Sequence, residues 1–397
     1  MHIKTQQRIV SLDLLRGVAV LGILWMNIQS FSGPLAAYGN PTAYGDFSGA
    51  NLYTWAIASV FAEFKFMTLF SILFGAGIAI FCHRAAEKGF DARSLNTRRM
   101  HWLLVFGLAH GYFIWYGDIL FVYAVCGLIA VKFVDASVKR LLVSAALMFM
   151  VPVLLIYLLS LLIATGDQQL MTELMRDWAP SEALLQQEIS AYKGSWVDTR
   201  LASIPTAISF QLAGLLMYGW RALACMLIGI ALLQTGFITA SMNIRTYKLV
   251  ALIALPLGIS LSTWGVMQNI AHDFSLEFSG SFGTLFNYFG SFSTAIAYVA
   301  IIMLLCKFQA LAGFKSALSN VGKMAFTNYI MQSLICTFIF YGYGLNYFAE
   351  LNRIECLAVV VLVWFIQLFY STLWLLHFKQ GPLERFWRYL TYRQLTY

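Results

Sequence analysis

The sequence predicts an all-α membrane protein, a polytopic bundle of about ten transmembrane helices. Three observations predict this fold class. Of the 397 residues, 60% are hydrophobic and only 11% are charged, and the mean hydropathy is +0.72. A soluble domain of this length needs a more highly charged surface. The apolar residues fall into segments long enough to cross a bilayer core of about 30 Å, and most of the basic residues between them fall on one side.

Each predicted crossing is an apolar run close to the roughly 20 residues that a helix needs to span the core. In chain order the crossings are 12–31, 66–83, 100–117, 118–134, 141–164, 218–238, 246–268, 286–307, 324–343 and 356–377. Two further stretches, 52–64 and 204–217, are too short or too interrupted for a full crossing. Re-entrant or interfacial structure suits them better.

The charge distribution sets the expected orientation. In this layout, 19 of the 26 lysines and arginines fall in loops on one side and four on the other. The remaining three, Arg16, Lys65 and Arg221, lie in or beside apolar segments. The positive-inside rule then predicts an inner-membrane protein with both termini in the cytoplasm. The net charge of +8 therefore reflects topology, and no basic stripe indicates nucleic-acid binding.

Two segments outside the crossings have helical character. The hydrophilic insert 165–205 contains a helix-like run, Gln168 to Trp178, and a second from Ser181 to Lys193 that ends at Gly194. We expect a small helical cap on the outer side, or a lid over a substrate entrance. The tail 381–397 mixes arginines with aromatic residues, which predicts an interfacial helix on the inner leaflet.

The cysteines and histidines indicate no metal centre. The six cysteines match neither a C-x-x-C motif nor a disulfide framework, and five lie inside apolar segments, as small buried residues do. The six histidines are scattered without the spacing of metal ligands. No phosphate-binding loop or hydrolase motif is present.

Ionisable residues at membrane depth are costly and are therefore the first candidates for function. Asp13 and Arg16 are three residues apart on the first turns of the first helix. Two explanations fit this pair equally well. Either the two residues form a salt bridge at the start of the helix, or Arg16 binds an anionic cofactor, such as a nucleotide phosphate. Asn27 lies roughly 16 Å further along the helix. It either joins two helices or acts as an active-site donor.

His110 and Asp118 are the candidates in the predicted third and fourth crossings. His110 lies near the middle of segment 100–117, where a neutral imidazole could serve as a general base or bond a neighbouring helix. Asp118 follows Gly117 and is expected to cap the next helix, with a role in binding an acceptor hydroxyl or orienting an imidazole as the alternative. In one straight helix the two could not touch, so we expect them to act at different depths.

Several other polar residues are predicted to line a cavity or a helix contact. Asn328 and Gln332 are four residues apart and share a helix face. We take these two and Lys65 as candidate substrate-binding residues. Snorkelling to the interface is the plainer explanation for Glu63 and Lys65. Arg221, next to Trp220, has the pattern of an outer interface anchor.

Several motifs resemble the YeiB-like family (domain of unknown function 418). They span nearly the whole chain, and the most specific ones lie in its C-terminal third. They are Arg8-Ile-Val-Ser-Leu-Asp13-Leu-Leu-Arg16-Gly17, Lys65-Phe-Met-Thr-Leu-Phe70-Ser71, Gly117-Asp118-Ile119-Leu120, Gly322-Lys-Met-Ala-Phe-Thr327-Asn328-Tyr329, Gln332-Ser333, Tyr341-Gly-Tyr-Gly344 and Gly381-Pro382-Leu383-Glu384.

The first helix is also similar to the opening of transmembrane acyltransferases, namely the acyltransferase-3 group and heparan-α-glucosaminide N-acetyltransferase. The shared residues are Asp13, Arg16, Gly17 and the Asn27 position. The resemblance implies transfer of an acyl group from cytoplasmic acyl-CoA to an acceptor at or across the membrane. This chain departs from both groups, because it has asparagine where the acyltransferase-3 proteins carry a late histidine. Its 32–51 loop also lacks the histidine of the glucosaminide enzymes.

These inferences combine into one expected activity. The protein would transfer an acyl group from acyl-CoA, its only expected cosubstrate, to a hydroxyl or amine, without a metal. Arg16 and Asp13 would form the cofactor end, His110 would be the general base, Asn27 would stabilise the oxyanion, and Asp118 would bind the acceptor. Membrane lipids are expected partners, and a homo-oligomer is compatible with this view. The alternatives are a transporter or flippase for a small polar or lipidic substrate, and a non-catalytic membrane scaffold.

Overall fold

The computed structural model describes residues 10–308 and 311–393. Regular structure in these ranges is helical. The α-helices are α1 (Val10–Ser32), α2 (Ala36–Gly39), α3 (Gly49–Phe61), α4 (Lys65–Glu87), α5 (Ala92–Phe113), α6 (Leu120–Ala130), α7 (Val138–Ala164), α8 (Gln168–Trp178), α9 (Glu182–Tyr192), α10 (Trp196–Ala213), α11 (Trp220–Gln234), α12 (Ile244–Ala271), α13 (Gly283–Lys307), α14 (Ala312–Lys323), α15 (Ala325–Phe340), α16 (Arg353–His377) and α17 (Pro382–Tyr392). Short 3-10 turns occupy Val131–Phe133 and Phe237–Thr239, and π-helical turns occupy Gly214–Gly219 and Phe278–Phe282.

The chain is a multi-pass membrane protein. Within the described ranges, seven helical stretches are long and apolar enough to cross a membrane, judged by length and composition. They are Val10–Ser32, Gly49–Glu87, Val138–Ala164, Trp196–Gln234, Ile244–Ala271, Phe278–Lys307 and Arg353–His377. Each predicted crossing coincides with a helix, and α6 and α15 are shorter apolar helices. The all-helical membrane fold is confirmed, whereas ten crossings and the orientation stay predictions; Lys4 and Arg8, part of the charge argument, lie outside the described residues.

Burial separates the helices into a centre and a periphery. In the most apolar window of α1, 72% of the residues are buried, against 17% in α7 and α12. Helix α1 packs on α4, α14, α15 and α16, and α4 also packs on α11. The apolar faces of α7 and α12 remain exposed, as expected of helices that contact lipid. The polar residues of α1 are therefore held at the centre of the protein.

Two stretches that were too interrupted for a full crossing belong to long, discontinuous helices. Residues 52–64 lie largely in α3, which continues into α4 after Phe64, a residue in the left-handed conformation with φ 59°. The Phe66 ring lies against Gly22, where an added Cβ would approach it to 2.3 Å. Because Gly22 is midway along α1, the α3–α4 break lies deep in the bundle. Residues 204–217 lie in α10 and the π-helical turn before α11.

The two ends of the bundle carry different accessory helices. The end where α1 finishes carries α8 and α9, and we call it the cap face. The bounds of these two helices are close to those predicted for the helical runs of the insert. The opposite end, where α1 begins, is the N-terminal face. There α17 packs on α5 and α15, and the Glu384 carboxylate accepts hydrogen bonds from the Phe326 and Thr327 amides at the start of α15. Residues 394–397 of the predicted tail lie outside the described residues.

Candidate functional site

A cavity of about 980 Å³ lies beneath the cap helices. Its walls come from the ends of α1, α6, α10 and α15, from the α3–α4 break and from the loop between α5 and α6. Aromatic residues form much of the wall. The polar lining residues are Asn27, Ser30, Tyr38, Tyr116, Asp118, Tyr123, Glu173, Arg176, Asp177, Gln187, Glu188, Tyr192, Thr206, Ser209, Tyr218 and Tyr329. A cavity of this size and mixed chemistry accommodates a small-molecule substrate.

Three side chains form a hydrogen-bonded chain at one wall of the cavity. His110 Nδ1 lies 2.9 Å from Asp118 Oδ1, and His110 Nε2 lies 2.9 Å from Ser333 Oγ. The expectation that His110 and Asp118 act at different depths is therefore wrong. Helix α5 ends at Phe113, so the chain turns back before Asp118 and the two side chains come level. The sequence reasoning assumed one straight helix across this interval.

The acid and the imidazole of this chain both lie behind the cavity wall, because the Asp118 side chain is 0% exposed and that of His110 is 1% exposed. Asp118 lines the cavity, whereas His110 is only 1% exposed and is not among the lining residues. The second carboxylate oxygen of Asp118 accepts a hydrogen bond of 2.8 Å from the Phe121 amide, as expected of a residue that caps a helix. Asp118 is thus fixed through both oxygens. The part of Asp118 that lines the cavity is therefore main chain, with the carboxylate directly behind it and the imidazole deeper still.

Asn27 lines the same cavity from α1. Its side chain makes no hydrogen bond with the described residues, so its amide is available to a ligand. The loop before Asp118 packs beside this end of α1, because the Tyr116 hydroxyl donates to the Ser30 carbonyl at 2.9 Å. Tyr329, from α15, completes this side of the wall, and its hydroxyl accepts a hydrogen bond of 3.3 Å from the Ile119 amide.

Arg16 and Asp13 lie at the other end of α1. Their side chains form an ion pair of 3.0 Å, with Asp13 buried and the Arg16 side chain 30% exposed. Arg16 is not a lining residue of the cavity. The 11 residues that separate it from Asn27 correspond to roughly 16 Å of helix. The predicted cofactor end and the cavity therefore sit at opposite ends of the same central helix.

Asn328 and Gln332 join helices and do not line the cavity. The Gln332 amide donates to the Val20 carbonyl and to Gln367, each at 2.9 Å. Asn328 donates to the Val321 carbonyl and to Ser371, each at 3.0 Å. These hydrogen bonds join α15 to α1, α14 and α16. The sequence does contain a signal for these partners on α16, because Gln367 and Ser371 are four residues apart and share a helix face.

Lys65 is fully buried at the start of α4. Its Nζ donates to the Ser59 carbonyl at 2.6 Å and to Asn287 Oδ1 at 2.5 Å, and the Asn287 amide donates to Glu63 at 2.9 Å. The prediction of snorkelling for Glu63 and Lys65 is therefore wrong. The break at Phe64 places both residues inside the bundle, where α13 supplies the polar partner.

Arg221 is also buried rather than anchored at an interface, so that prediction is wrong as well. Its guanidinium donates to Thr68 at 2.9 Å, to Ser291 at 2.7 Å and to the Tyr288 carbonyl at 2.9 Å. It lies 5.3 Å from the centre of the Phe64 ring. Sequence reasoning missed the α13 partners. Their signal is the spacing of Asn287, Ser291 and Thr294, which places three polar residues on one helix face.

The cap side of the cavity is acidic. Glu173, Asp177 and Glu188 line it from the cap, with Arg176 as the single lining arginine among the described residues. Glu188 accepts a hydrogen bond of 3.0 Å from the Leu35 amide, which ties the cap to the segment after α1. Burial raises the pKa of the Glu188 carboxyl, and the Leu35 bond partly offsets this rise.

Metal ligation has no counterpart in the described part of the chain. There, no group of three or more His, Cys, Asp or Glu side chains is placed to hold a metal ion. The six cysteines are free, and five are fully buried.

Comparison with known proteins identifies relatives along almost the full length. A family model described as "Protein of unknown function (DUF418)" matches residues 232–394. The "Uncharacterized protein YeiB" of Escherichia coli (strain K12) is 34% identical, over 98% of this chain and 97% of its own. The "Uncharacterized protein YxaH" of Bacillus subtilis (strain 168) is 30% identical, over 98% of this chain and 95% of its own. No solved structure matches. Full-length similarity at this level shows that the chain belongs to the YeiB-like DUF418 family.

Proposed function

We propose that this protein is an integral membrane acyltransferase that moves an acyl group from acyl-CoA to a hydroxyl or amine acceptor. The observation that carries the proposal is the hydrogen-bonded chain Asp118–His110–Ser333, which lies directly behind the wall of a large cavity at Asp118. A carboxylate backed by an imidazole is a proton acceptor suited to activating a hydroxyl or an amine. Asn27, whose amide has no hydrogen-bond partner among the described residues, lines the same cavity.

The residues divide the reaction between them. The acceptor oxygen or nitrogen attacks the thioester carbonyl carbon, and the proton of the acceptor passes to the Asp118 carboxylate. His110, which is hydrogen-bonded to that carboxylate, helps to stabilise its charge. The Asn27 amide donates to the oxyanion of the tetrahedral intermediate. When the C–S bond breaks, the CoA thiolate takes up the proton, which leaves the acylated acceptor and free CoA. General base catalysis is worth ~10²–10⁴-fold, and one oxyanion donor ~10²–10³-fold.

The acyl donor is proposed to enter from the N-terminal face. Arg16 would hold a CoA phosphate there, with Asp13 fixing the guanidinium. Because Arg16 and Asn27 lie on one helix, the donor would extend along α1 to bring its thioester to the cavity. With the N-terminal face in the cytoplasm of an inner-membrane protein, as the basic loops favour, donor and acceptor would arrive from opposite sides.

Acyl transfer by the purified protein in lipid nanodiscs tests this proposal. The assay follows release of free CoA thiol from acetyl-CoA and longer acyl-CoAs, with a panel of amine and polyol acceptors. Asp118→Asn and Asn27→Ala should both abolish most turnover. Ser190→Ala changes an exposed cap residue whose hydroxyl bonds its own helix, and it should turn over as wild type does. Wild-type protein that binds no acyl-CoA while folded would contradict the assignment.

Transport of a small polar or lipidic substrate is the second candidate. The observation that favours it is the pair of 39-residue discontinuous helices, Gly49–Glu87 and Trp196–Gln234. Their breaks meet deep in the bundle, where Arg221 lies over Phe64. Broken helices at this depth commonly surround the substrate of a transporter. Substrate flux across proteoliposomes without acyl transfer would support this candidate over the enzyme.

A further inference from the structure

The N-terminal face carries a second polar site, around Arg16 and Arg99, which the cavity does not reach. Arg99, on α5, is held between two aromatic rings, 4.4 Å from the centre of Trp387 and 4.8 Å from that of Phe81. The Trp387 indole also donates to the Arg99 carbonyl at 2.9 Å. A guanidinium clamped in this way keeps one orientation. Its Nη1 atom is buried and has no hydrogen-bond partner among the described residues.

Asn96 lies one helical turn before Arg99 on the same face of α5. This face is turned towards α4, because the Ala92 carbonyl contacts Cys82 and Arg99 covers Phe81. Asn96 is completely buried, yet neither its Oδ1 nor its Nδ2 has a hydrogen-bond partner in the described part of the chain. Buried amides are rarely left in this state, so the Asn96 amide is available to a polar ligand at this face of α5.

Gly77 leaves a hollow on α4 in front of Arg16. The nearest atom to a Cβ built at Gly77 is Arg16 Nη2, at 3.8 Å. Phe81, which supports Arg99, follows one turn later on the same face of α4. Arg16 and Arg99 are close enough for their charges to repel each other. The hollow at Gly77 therefore lies beside one of two neighbouring guanidinium groups, and such a pair next to open space forms a site for an anion.

We propose that Arg16, Arg99 and Asn96, arranged around Gly77, bind a phosphate group. Guanidinium groups bind phosphate through paired, charge-assisted hydrogen bonds, and the amide of Asn96 supplies a further donor. The bound anion would also relieve the repulsion between the two arginines. The phosphate belongs either to the nucleotide end of acyl-CoA or to the headgroup of an anionic phospholipid. The nucleotide source rests on the proposed function, whereas the phosphate site itself does not.

The test uses two probes and the full chain in phosphatidylcholine nanodiscs. Free CoA binding is measured by titration, and retention of added phosphatidylglycerol is measured by native mass spectrometry. Arg99→Ala removes a phosphate donor, and Gly77→Leu fills the hollow without changing the charge. Each substitution should weaken binding of whichever probe the wild type binds by ~10-fold or more. Gly77→Ala, whose Cβ would make an ordinary contact, should bind as wild type does.

Arg140→Ala is the matched control for lost charge, because Arg140 also lies over an aromatic ring, that of Phe133, but outside the cluster. Binding of CoA that depends on Arg99 and Gly77 supports the nucleotide source, and phosphatidylglycerol with the same dependence supports the lipid source. The proposal is overturned if the folded wild type binds no CoA and retains phosphatidylglycerol no better than phosphatidylcholine. It is also overturned if the Arg99→Ala variant binds the probes as wild type does.

A further variant separates this site from the proposed reaction. Asp118→Asn alters the cavity at the other end of α1 and should leave phosphate binding unchanged. Wild-type protein that binds phosphate through Arg99 but transfers no acyl group would defeat the proposed function and leave the phosphate site standing. Arg99→Ala decides the matter alone if Gly77→Leu fails to fold, as judged by thermal unfolding.

Discussion

His110 and Asp118 are eight residues apart in sequence, yet their side chains lie 2.9 Å apart because α5 ends between them and the chain turns back. The turn requires Gly117, since a Cβ there would meet the Trp115 ring at 2.3 Å. The same carboxylate caps α6 through its other oxygen. One residue therefore fixes the start of a helix, orients an imidazole and forms part of the cavity wall.

Asp118→Asn should separate these roles. The asparagine oxygen can still accept from the Phe121 amide, so α6 should keep its cap, whereas loss of the buried carboxylate–His110 bond should lower stability by ~1–3 kcal/mol. The negative charge at the cavity is lost, and acyl transfer should fall by ~10²–10⁴-fold. Steady-state kinetics beside thermal unfolding measures both effects. Unchanged turnover in a folded variant would remove Asp118 from the mechanism.

Asn27→Ala should lower turnover without lowering stability. Its side chain makes no hydrogen bond within the described residues, so little of the fold depends on it. Loss of an oxyanion donor should reduce kcat by ~10²–10³-fold. The matched control is Asn328→Ala, another asparagine at membrane depth. It loses bonds to Val321 and Ser371, so unfolding should be easier by ~1–3 kcal/mol.

The contrast between these two asparagines defines what the sequence could predict. Apolar length and turn residues predicted the helices, the cap helices and the helix cap at Asp118. The role of a polar residue depends on its partners in distant helices, and spacing within one helix does not specify them. Asn328 meets Ser371 from a helix 43 residues later, whereas Asn27 meets a cavity. The break at Phe64 was equally hidden, because left-handed backbone in a bulky residue is imposed by tertiary packing.

Lys65→Met should destabilise the protein through the groups it leaves behind. The Ser59 carbonyl and Asn287 Oδ1 lose a charged donor, and Glu63 loses the nearby positive charge. We expect a loss of ~2–4 kcal/mol in the free energy of unfolding. The double variant Glu63→Gln/Lys65→Met should recover part of that loss, because no unpaired carboxylate remains. Lys132→Met, at an exposed site, should change stability little.

The pH dependence of stability should report on Glu188, which lines the cavity from the cap. Burial raises the pKa of this carboxyl above its ordinary value of 4.5, so the folded state holds the proton more tightly than the unfolded state. The stabilising effect of protonation is full below pH 4.5 and is lost as the pH rises through the raised folded-state pKa. Glu188→Gln keeps an acceptor for the Leu35 amide but cannot ionise. Its melting temperature should therefore rise relative to wild type as the pH increases across this window. A constant difference between the two proteins, measured by thermal unfolding over the same range, would show that Glu188 ionises in the folded state as freely as in the unfolded chain.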